Sequence, residues 1–367
     1  MLNPIITNFN LSNEEYQIYA RQLILDNIGF KGQYRLKKAK VLLVGSGGLG
    51  CPAIVYLASS GIGYIGVIDH DIISKSNLPR QILYTIKNIH ELKTILTKKI
   101  KEINPFCEVS IYSEKFTQSN AYQLVQKYDL VLDTSDNFPT RYLINMICYK
   151  LHKPYIYGAV QSFEGHISVF NYQSGPTYSD LYPKYTPVHS NTCDNIGILG
   201  VIPGIIGILQ TTEALKIILG IGRILSGYLL IYNGLDMSFK KVKIQPIKTN
   251  KPALQYDTNE LSISKTIIIN SYYLKNMLNQ KQKKEIFIID VRQKAEFNKK
   301  HIISAVNIPL KEIKTKKNIN LIYKLSSDSR IILYCSHNSR SIIASYILAK
   351  YNIYHYRLKD GLYTWTP

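Results

Sequence analysis

The sequence predicts an α/β protein in two parts: a doubly wound parallel sheet, then a second, smaller α/β domain. Three observations carry this. The apolar run Val41-Leu-Leu-Val44 leads straight into Gly45-Ser-Gly-Gly-Leu-Gly50, as a buried parallel strand leads into a tight glycine turn and a helix. Apolar runs and helical stretches then alternate, as strand–helix–strand units do. At 367 residues the chain exceeds one average domain, and a new alternation opens at Ile286-Phe-Ile-Ile-Asp290. The expected division is residues 1–246, a linker at 247–260 and a second domain at 261–367.

Taken in order, residues 12–38 read as helical. Ser12 and Glu15 have capping-box spacing, and Tyr16, Tyr19, Leu23 and Ile24 can share one face. Strands at 41–45 and 64–69 flank a helix from Cys51 to Ser59. A Lys-rich helix over 91–103 stops near Asn104-Pro105, since the residue before proline is pushed out of the helical region. Val109–Tyr112 and Asp129–Asp133 are further strands, and a helix from Pro139 to Leu151 precedes a strand at Tyr155–Gly158. Residues 171–195, rich in Tyr, Pro, Ser and Asn, form a long loop of the kind that is usually functional. A helix at 203–219 and strands at 227–232 and 239–246 close the first part. In the second, 286–290 and 331–334 are buried strands and Ser341–Lys350 a helix.

Composition narrows the functional classes. A hydrophobic content of 46% is globular rather than disordered. The formal charge is +20. Abundant Lys, Ile, Asn and Tyr fit an AT-rich genome, so the charge reads first as solvated lysines and second as a face for an acidic partner; no nucleic-acid motif accompanies it. The cysteines are Cys51, Cys107, Cys148, Cys193 and Cys335, with no C-x-x-C pair. That spacing suggests neither a disulfide framework nor a zinc site and fits a reducing compartment. No secretory signal is expected at the N-terminus. Ile196–Leu209 is short and broken by Pro203, so no membrane span is expected there.

The glycine turn lets backbone N–H groups approach a phosphate, and the following helix N-terminus favours its charge. Asp69, at the end of the second strand, stands where a ribose hydroxyl is held. By itself this pattern also fits NAD or FAD. The cations around it point elsewhere. Asn77 and Arg80 lie in Ser76-Asn-Leu-Pro-Arg-Gln81, Lys93 on the next helix, and Arg21 ahead of the sheet. A triphosphate undergoing displacement needs fixed cations for the charge that shifts onto pyrophosphate. Asp136, after a buried strand, has the position to hold Mg²⁺ beside phosphate oxygens.

Tyr19-Ala-Arg-Gln22, Gly45–Gly50, Asp69-His-Asp71, Ser76–Gln81, Ile103-Asn-Pro105, Asp133-Thr-Ser-Asp-Asn137 and Thr192-Cys193 resemble the adenylyltransferases that activate ubiquitin-like sulfur carriers. The resemblance spans residues 12–245. It implies a Rossmann-like adenylating domain in which a carrier's C-terminal glycine carboxylate attacks the α-phosphate of ATP. It also implies that Gly45, Gly47, Gly48 and Gly50 floor the nucleotide, Asp69 binds ribose, Asn77, Arg80 and Lys93 contact phosphates, and Asp136 holds Mg²⁺. Arg21 would enter the neighbouring subunit's site, which implies a homodimer. Two departures stand out. The family's Gly-x-Pro-Lys is here Glu91-Leu-Lys93; counting forward from Arg80 selects Lys93, while counting back from Ile103 lands on Leu92. Many relatives hold a structural zinc with two C-x-x-C pairs. Here the first pair would fall at Thr177 and Asp180 and the second has no cysteine, so zinc is expected to be absent and the loop to be held by packing.

Two cysteines are candidates for sulfur chemistry. Cys193, in Thr-Cys-Asp, matches the relatives' cysteine that joins covalently to the carrier; Cys51 and Cys148 read as core. Cys335 opens Cys-Ser-His-Asn-Ser-Arg-Ser341 between a strand and a helix. Backbone N–H groups, the helix N-terminus and Arg340 there favour a sulfur anion. With Asp290-Val-Arg292, Glu296-Phe297, His301-Ile302, Ala305–Pro309 and Gly361–Trp365, residues 285–366 resemble a rhodanese domain. Asn338 stands where many rhodaneses have Gly, and Asp290, Arg292 and His301 read as structural.

The expectation is therefore an adenylyltransferase with an associated sulfurtransferase. It would act on a small ubiquitin-like carrier, first the molybdopterin synthase small subunit, otherwise a thiamine-pathway or tRNA-thiolation carrier. A persulfide donor such as a cysteine desulfurase would load Cys335. Neither nucleic acid nor membrane is expected as a partner. The expected compartment is a plastid stroma or a bacterial cytoplasm. An NAD-dependent oxidoreductase and a non-catalytic carrier-binding scaffold remain as alternatives.

Overall fold

The computed structural model describes residues 11–183, 197–245, 266–279, 285–336, 339–359 and 361–365. They fall into two compact units, one up to residue 245 and one from 266. The expected linker at 247–260 and Cys193 lie outside the described residues.

The first unit opens with α1 (Asn13–Leu23) and α2 (Gly29–Lys38), a broken pair where one helical stretch was expected. Ser12 and Glu15 do form the capping box, and Glu15 also takes Lys37 Nζ at 2.8 Å, which ties the two helices. Of the expected apolar face only Tyr19 is buried; Tyr16 and Ile24 are exposed. The face ends at the break because residues 24–28 no longer follow the helical period.

β1 (Lys40–Val44), α3 (Gly50–Ser59), β2 (Tyr64–Ile68), α4 (Leu96–Ile103), β3 (Glu108–Tyr112), α5 (Gln118–Gln126), β4 (Leu130–Asp133), α6 (Phe138–Lys150) and β5 (Tyr155–Gln161) follow. The Lys-rich helix starts only at Leu96; Lys93 sits in a preceding 3₁₀ turn. Then come β6 (Glu164–Phe170), the single turn α7 (Tyr178–Leu181), α8 (Val201–Leu219), β7 (Tyr228–Asn233) and β8 (Ser238–Lys243).

The sheet order is β3-β2-β1-β4-β5-β6-β7-β8. β1 to β5 pair in parallel, as the doubly wound expectation requires. β6 to β8 pair antiparallel, which the alternation pattern did not anticipate. Short turns join β5 to β6 and β7 to β8, whereas α7 and α8 stand between β6 and β7; α8 therefore reads as a parallel crossover helix in the sequence although the strands it separates pair antiparallel. Val44 pairs with both Ile68 and Asp133, so the ends of β2, β1 and β4 lie level. That is the strand-order switch point, where doubly wound sheets bind ligands.

α8 is long and apolar enough to cross a membrane by length and composition alone. Here it is a core helix of the unit. Its buried positions include Gln210, whose Nε2 donates to Asp133 O and Ile156 O, and Glu213, whose carboxylate accepts from Leu225 N. Cys51, Cys107 and Cys148 are fully buried.

Thr177 and Asp180 form a capping box: Thr177 N and Oγ1 both donate to Asp180 Oδ2, at 2.7 and 2.8 Å. Between them Tyr178 packs against Tyr142, Tyr157 and Phe170, with ring centroids 5.2, 5.4 and 5.8 Å away. Hydrogen bonding and aromatic contact thus close this segment.

The second unit contains β9 (Thr266–Ile269), α9 (Ser271–Asn279), β10 (Glu285–Asp290), α10 (Lys294–Lys299), β11 (Val306–Asn307), α11 (Leu310–Ile313), α12 (Lys316–Asp328), β12 (Ser329–Tyr334), α13 (Ser339–Lys350) and β13 (His355–Leu358). Its sheet, β11-β10-β12-β13-β9, is parallel throughout. β12 is central, and Cys335 follows its last residue.

Candidate active sites

Gly45 leaves β1 with φ +104°, a conformation open to glycine at little cost. A Cβ there would lie 2.8 Å from Thr134 O, and one at Gly50 would lie 2.5 Å from Gly45 O. The glycine turn is therefore pressed onto the end of β4 and onto itself. Thr134 Oγ1 clamps it by donating to Gly45 O at 2.6 Å. Ser46, inside the turn, donates to Asp69 Oδ2 through both N (2.7 Å) and Oγ (2.9 Å), and Tyr84 OH donates to Ser46 Oγ at 3.1 Å.

Asp69 is nearly buried, and Lys93 Nζ stands 2.6 Å from its Oδ2. Burial pushes the Asp69 carboxyl up, but the charge and hydrogen bond of Lys93, with the Asp71 and Ser46 N–H groups, outweigh it and hold it below its ordinary value. Three donors crowd Oδ2, whereas Oδ1 accepts only Asp71 N at 2.9 Å. A carboxylate oxygen has two lone pairs, so Oδ1 keeps acceptor capacity for a ligand hydroxyl.

Asn77 and Arg80 are half-buried beside this turn. Arg80 Cβ is 3.3 Å from where a Gly48 side chain would begin. Its Nη2 donates to Asn77 Oδ1 at 2.7 Å and its Nη1 to Ser76 O at 3.1 Å, which leaves further guanidinium donors.

Each residue after β4 has a separate task. Asp133 is wholly buried and accepts from Tyr155 OH at 2.6 Å and from Ser135 N and Oγ at 3.0 and 2.6 Å. Burial pushes its carboxyl up against the pull of Arg141. Arg141 Nη2 donates to Ser135 O at 3.1 Å, and its guanidinium lies over the Phe138 and Tyr157 rings. Asn137 caps α6 by accepting from Thr140 N at 3.0 Å. Between them Asp136 is exposed, and among the described residues its hydrogen-bond partner is Asn137 Nδ2 at 3.2 Å. Across the crevice burial pushes the Asp71 carboxyl up, and the Asp69 and Asp136 charges raise it further. Neighbouring carboxylates of this kind suit a divalent cation.

In the second unit Cys335 is 2% exposed, and its Sγ donates to Ser341 Oγ at 3.6 Å. Arg340 was expected to lend its charge to the sulfur. It does act electrostatically on Cys335, and it also forks onto Glu296 of α10, with Nη1–Oε2 at 2.5 Å and Nη2–Oε1 at 2.8 Å. That geometry is the favoured one for guanidinium and carboxylate. His337 and Asn338 lie outside the described residues. Arg292 and Asp290 form a buried pair that also fastens Lys300 O, and His301 stacks on Phe297.

Residues 19–253 match the ThiF family. The chain belongs to the ThiF family. Residues 271–367 match the rhodanese-like domain. A probable molybdopterin-synthase adenylyltransferase of Gracilaria tenuistipitata var. liui is 50% identical over 360 residues, covering 96% of this chain and 98% of its own. An adenylyltransferase and sulfurtransferase MOCS3 of Drosophila sechellia is 35% identical over 390 residues, covering 97% of this chain and 84% of its own. Among solved structures, the selenomethionine form of PaaA aligns with a TM-score of 0.56 at 23% identity, over 67% of this chain and 78% of that one, a likeness of fold.

Within this ThiF-family chain the fold gathers Gly45–Gly50, Asp69, Asn77, Arg80 and Lys93 around one crevice. Lys93 differs from expectation in its placement: it is 3% exposed and paired with Asp69. Arg21 is exposed in the last turn of α1. Ser46, Tyr84, Arg141 and Glu296 were not anticipated as working parts. Ser46 could have been noticed as the polar residue inside an apolar glycine turn; the Tyr157 ring beside Arg141 and the Ser336 and Arg340 partners of Glu296 lie on other elements and leave no local signal.

Proposed function

We propose that this protein adenylates the C-terminal glycine of a small ubiquitin-like sulfur carrier, the small subunit of molybdopterin synthase, and then converts it to a thiocarboxylate with sulfur carried on Cys335. The observation that carries this reading is the crevice in which Asp69 Oδ1, Arg80 and the glycine turn converge, on a chain that also ends one buried strand in a cysteine. A ribose hydroxyl donates to Asp69 Oδ1. Turn N–H groups, Asn77 and Arg80 bind phosphate oxygens, and a positively charged fork there favours pyrophosphate as it departs. Asp136, with Asp71 near, would hold Mg²⁺, which screens the phosphates from the incoming carboxylate. In this role Lys93 acts through Asp69 unless ATP draws it out.

The carrier carboxylate attacks the α-phosphorus and pyrophosphate leaves. The terminal sulfur of a Cys335 persulfide then attacks the acyl carbon, AMP leaves, and an acyl disulfide forms. A second thiol, assigned here to Cys193, attacks the Cys335 sulfur and releases the thiocarboxylate; the resulting disulfide is reduced by an external thiol. A cysteine desulfurase is the proposed persulfide source. Residues 1–246 would form the adenylating domain and 261–367 the sulfurtransferase domain. Arg21 is assigned to a second copy's site in a homodimer. The Gracilaria relative comes from a red alga, which supports a plastid stroma as the compartment.

The test is carrier-dependent ATP–pyrophosphate exchange, followed by mass spectrometry of the carrier after addition of a persulfide donor. Cys335→Ala should keep exchange and lose the mass gain of a thiocarboxylate. Exchange that ignores the carrier, or thiocarboxylate formed at the normal rate by Cys335→Ala, would refute the corresponding half.

A further inference from the structure

The residues flanking Cys335 are tied together by a side chain from another element. Glu296, on α10, accepts from Arg340 through both carboxylate oxygens and from Ser336 Oγ at 3.3 Å; Arg340 Nη2 also donates to Ser336 Oγ at 3.2 Å. Ser336 directly follows the sulfur residue and Arg340 lies in the first turn of α13. One carboxylate therefore bridges the departure and return of the loop.

Glu296 is itself held in place. Gln293 N donates to its Oε2 at 3.1 Å in a capping box. The preceding residue, Arg292, is anchored on Asp290 of β10. The bridge thus hangs from the sheet rather than from a free surface side chain. Glu296 is held well down, at about 2, first by its hydrogen bond with Arg340, so it stays ionised across the working range.

Among the described residues, the charged groups that act on Arg340 are Glu296 from α10, the Cys335 sulfur and Arg292, the last paired with Asp290. Arg340 interacts electrostatically with the Cys335 sulfur as well as with Glu296. An arginine alone would favour the sulfur anion; an arginine forked on a carboxylate presents much less net charge.

We propose that Glu296 is a positioning residue for Cys335: it fastens both flanks of the sulfur loop through Ser336 and Arg340 and offsets the Arg340 charge at the sulfur. The inference rests on the reading of Cys335 as the sulfur carrier. Its consequence is less net positive charge at the sulfur than the arginine by itself would supply.

The experiment measures alkylation of Cys335 by iodoacetamide against pH in the full chain, with the modified peptide quantified by mass spectrometry. Glu296→Gln keeps hydrogen-bonding capacity but removes the charge. Its alkylation midpoint should fall by about one pH unit, giving roughly threefold faster labelling below both midpoints, since about tenfold more thiolate is offset by about threefold lower nucleophilicity. Glu296→Asp keeps the charge and should hold the wild-type midpoint. Arg340→Gln should move the midpoint upward, which keeps the test open if Glu296→Gln fails to fold. An unmoved midpoint in folded Glu296→Gln, or in Arg340→Gln, overturns the role of Glu296. Thiocarboxylate formation at the wild-type rate by Cys335→Ala overturns the sulfur assignment instead, so the two failures are distinguishable.

Discussion

Replacing Lys93 with Met should loosen the nucleotide crevice measurably. Lys93 and Asp69 are 3% and 6% exposed at their side chains and 2.6 Å apart. Removing one member of a buried pair strands the other charge, at a typical cost of about 3–5 kcal/mol. Asp69 would still accept from Ser46 N, Ser46 Oγ and Asp71 N, which places the expected loss near the lower end, about 3 kcal/mol. With two units in the chain, one unfolding midpoint is poorly defined, so the measurement is native-state hydrogen exchange of β1 and β2 peptides. Their amides should exchange roughly a hundredfold faster. Adding Asp69→Asn to Lys93→Met should recover part of the loss, because no charge then stays buried. The pH dependence follows from the lowered Asp69 carboxyl. A depressed carboxyl adds stability that is present above its unfolded value, near 3.8, and is lost as pH falls through the folded one. Without Lys93, burial dominates and Asp69 tolerates protonation, so the gap between wild type and variant should close in acid. Wild-type exchange rates in Lys93→Met at neutral pH would refute this account of the pair.

Three further outcomes are expected. Asp136→Ala should abolish carrier-dependent pyrophosphate exchange while leaving hydrogen-exchange protection of β4 unchanged, since Asp136 is exposed and makes one long hydrogen bond; undiminished exchange activity would exclude it as the metal ligand. Arg141→Met should destabilise the first unit by about 3–5 kcal/mol by leaving Asp133 buried without its opposing charge, read as faster amide exchange in β4 and α6; Arg141→Lys should not restore it, because only a planar guanidinium lies flat over Phe138 and Tyr157. Ser12→Ala should cost about 1 kcal/mol and fray α1 by removing its capping oxygen, seen as exchange confined to that helix.

Much of the architecture was legible because its causes are local. The glycine turn needs Gly45 and Gly50 where a Cβ would strike backbone atoms, and no other residue fits there without a shift. The strand ends at Val44, Ile68 and Asp133 were marked by apolar runs closing on polar residues. The antiparallel edge was not legible, because α8 stands between β6 and β7 as a crossover helix would, although the two strands pair antiparallel. The break between α1 and α2 was missed although Asp26-Asn27 and Gly29, all turn-forming residues, mark it in the sequence.

The sequence alone determined which residue types stand at the mouth of the first sheet and at the end of β12, since each sits beside a strand terminus that its own neighbours specify. Only the tertiary structure decided whom those residues meet. Lys93 lies 24 positions from Asp69 yet pairs with it, and Arg340 lies 44 positions from Glu296 yet spends its fork there. Such pairings depend on strand order and helix placement, which bring distant side chains within hydrogen-bond range; residue spacing along the chain carries no record of them.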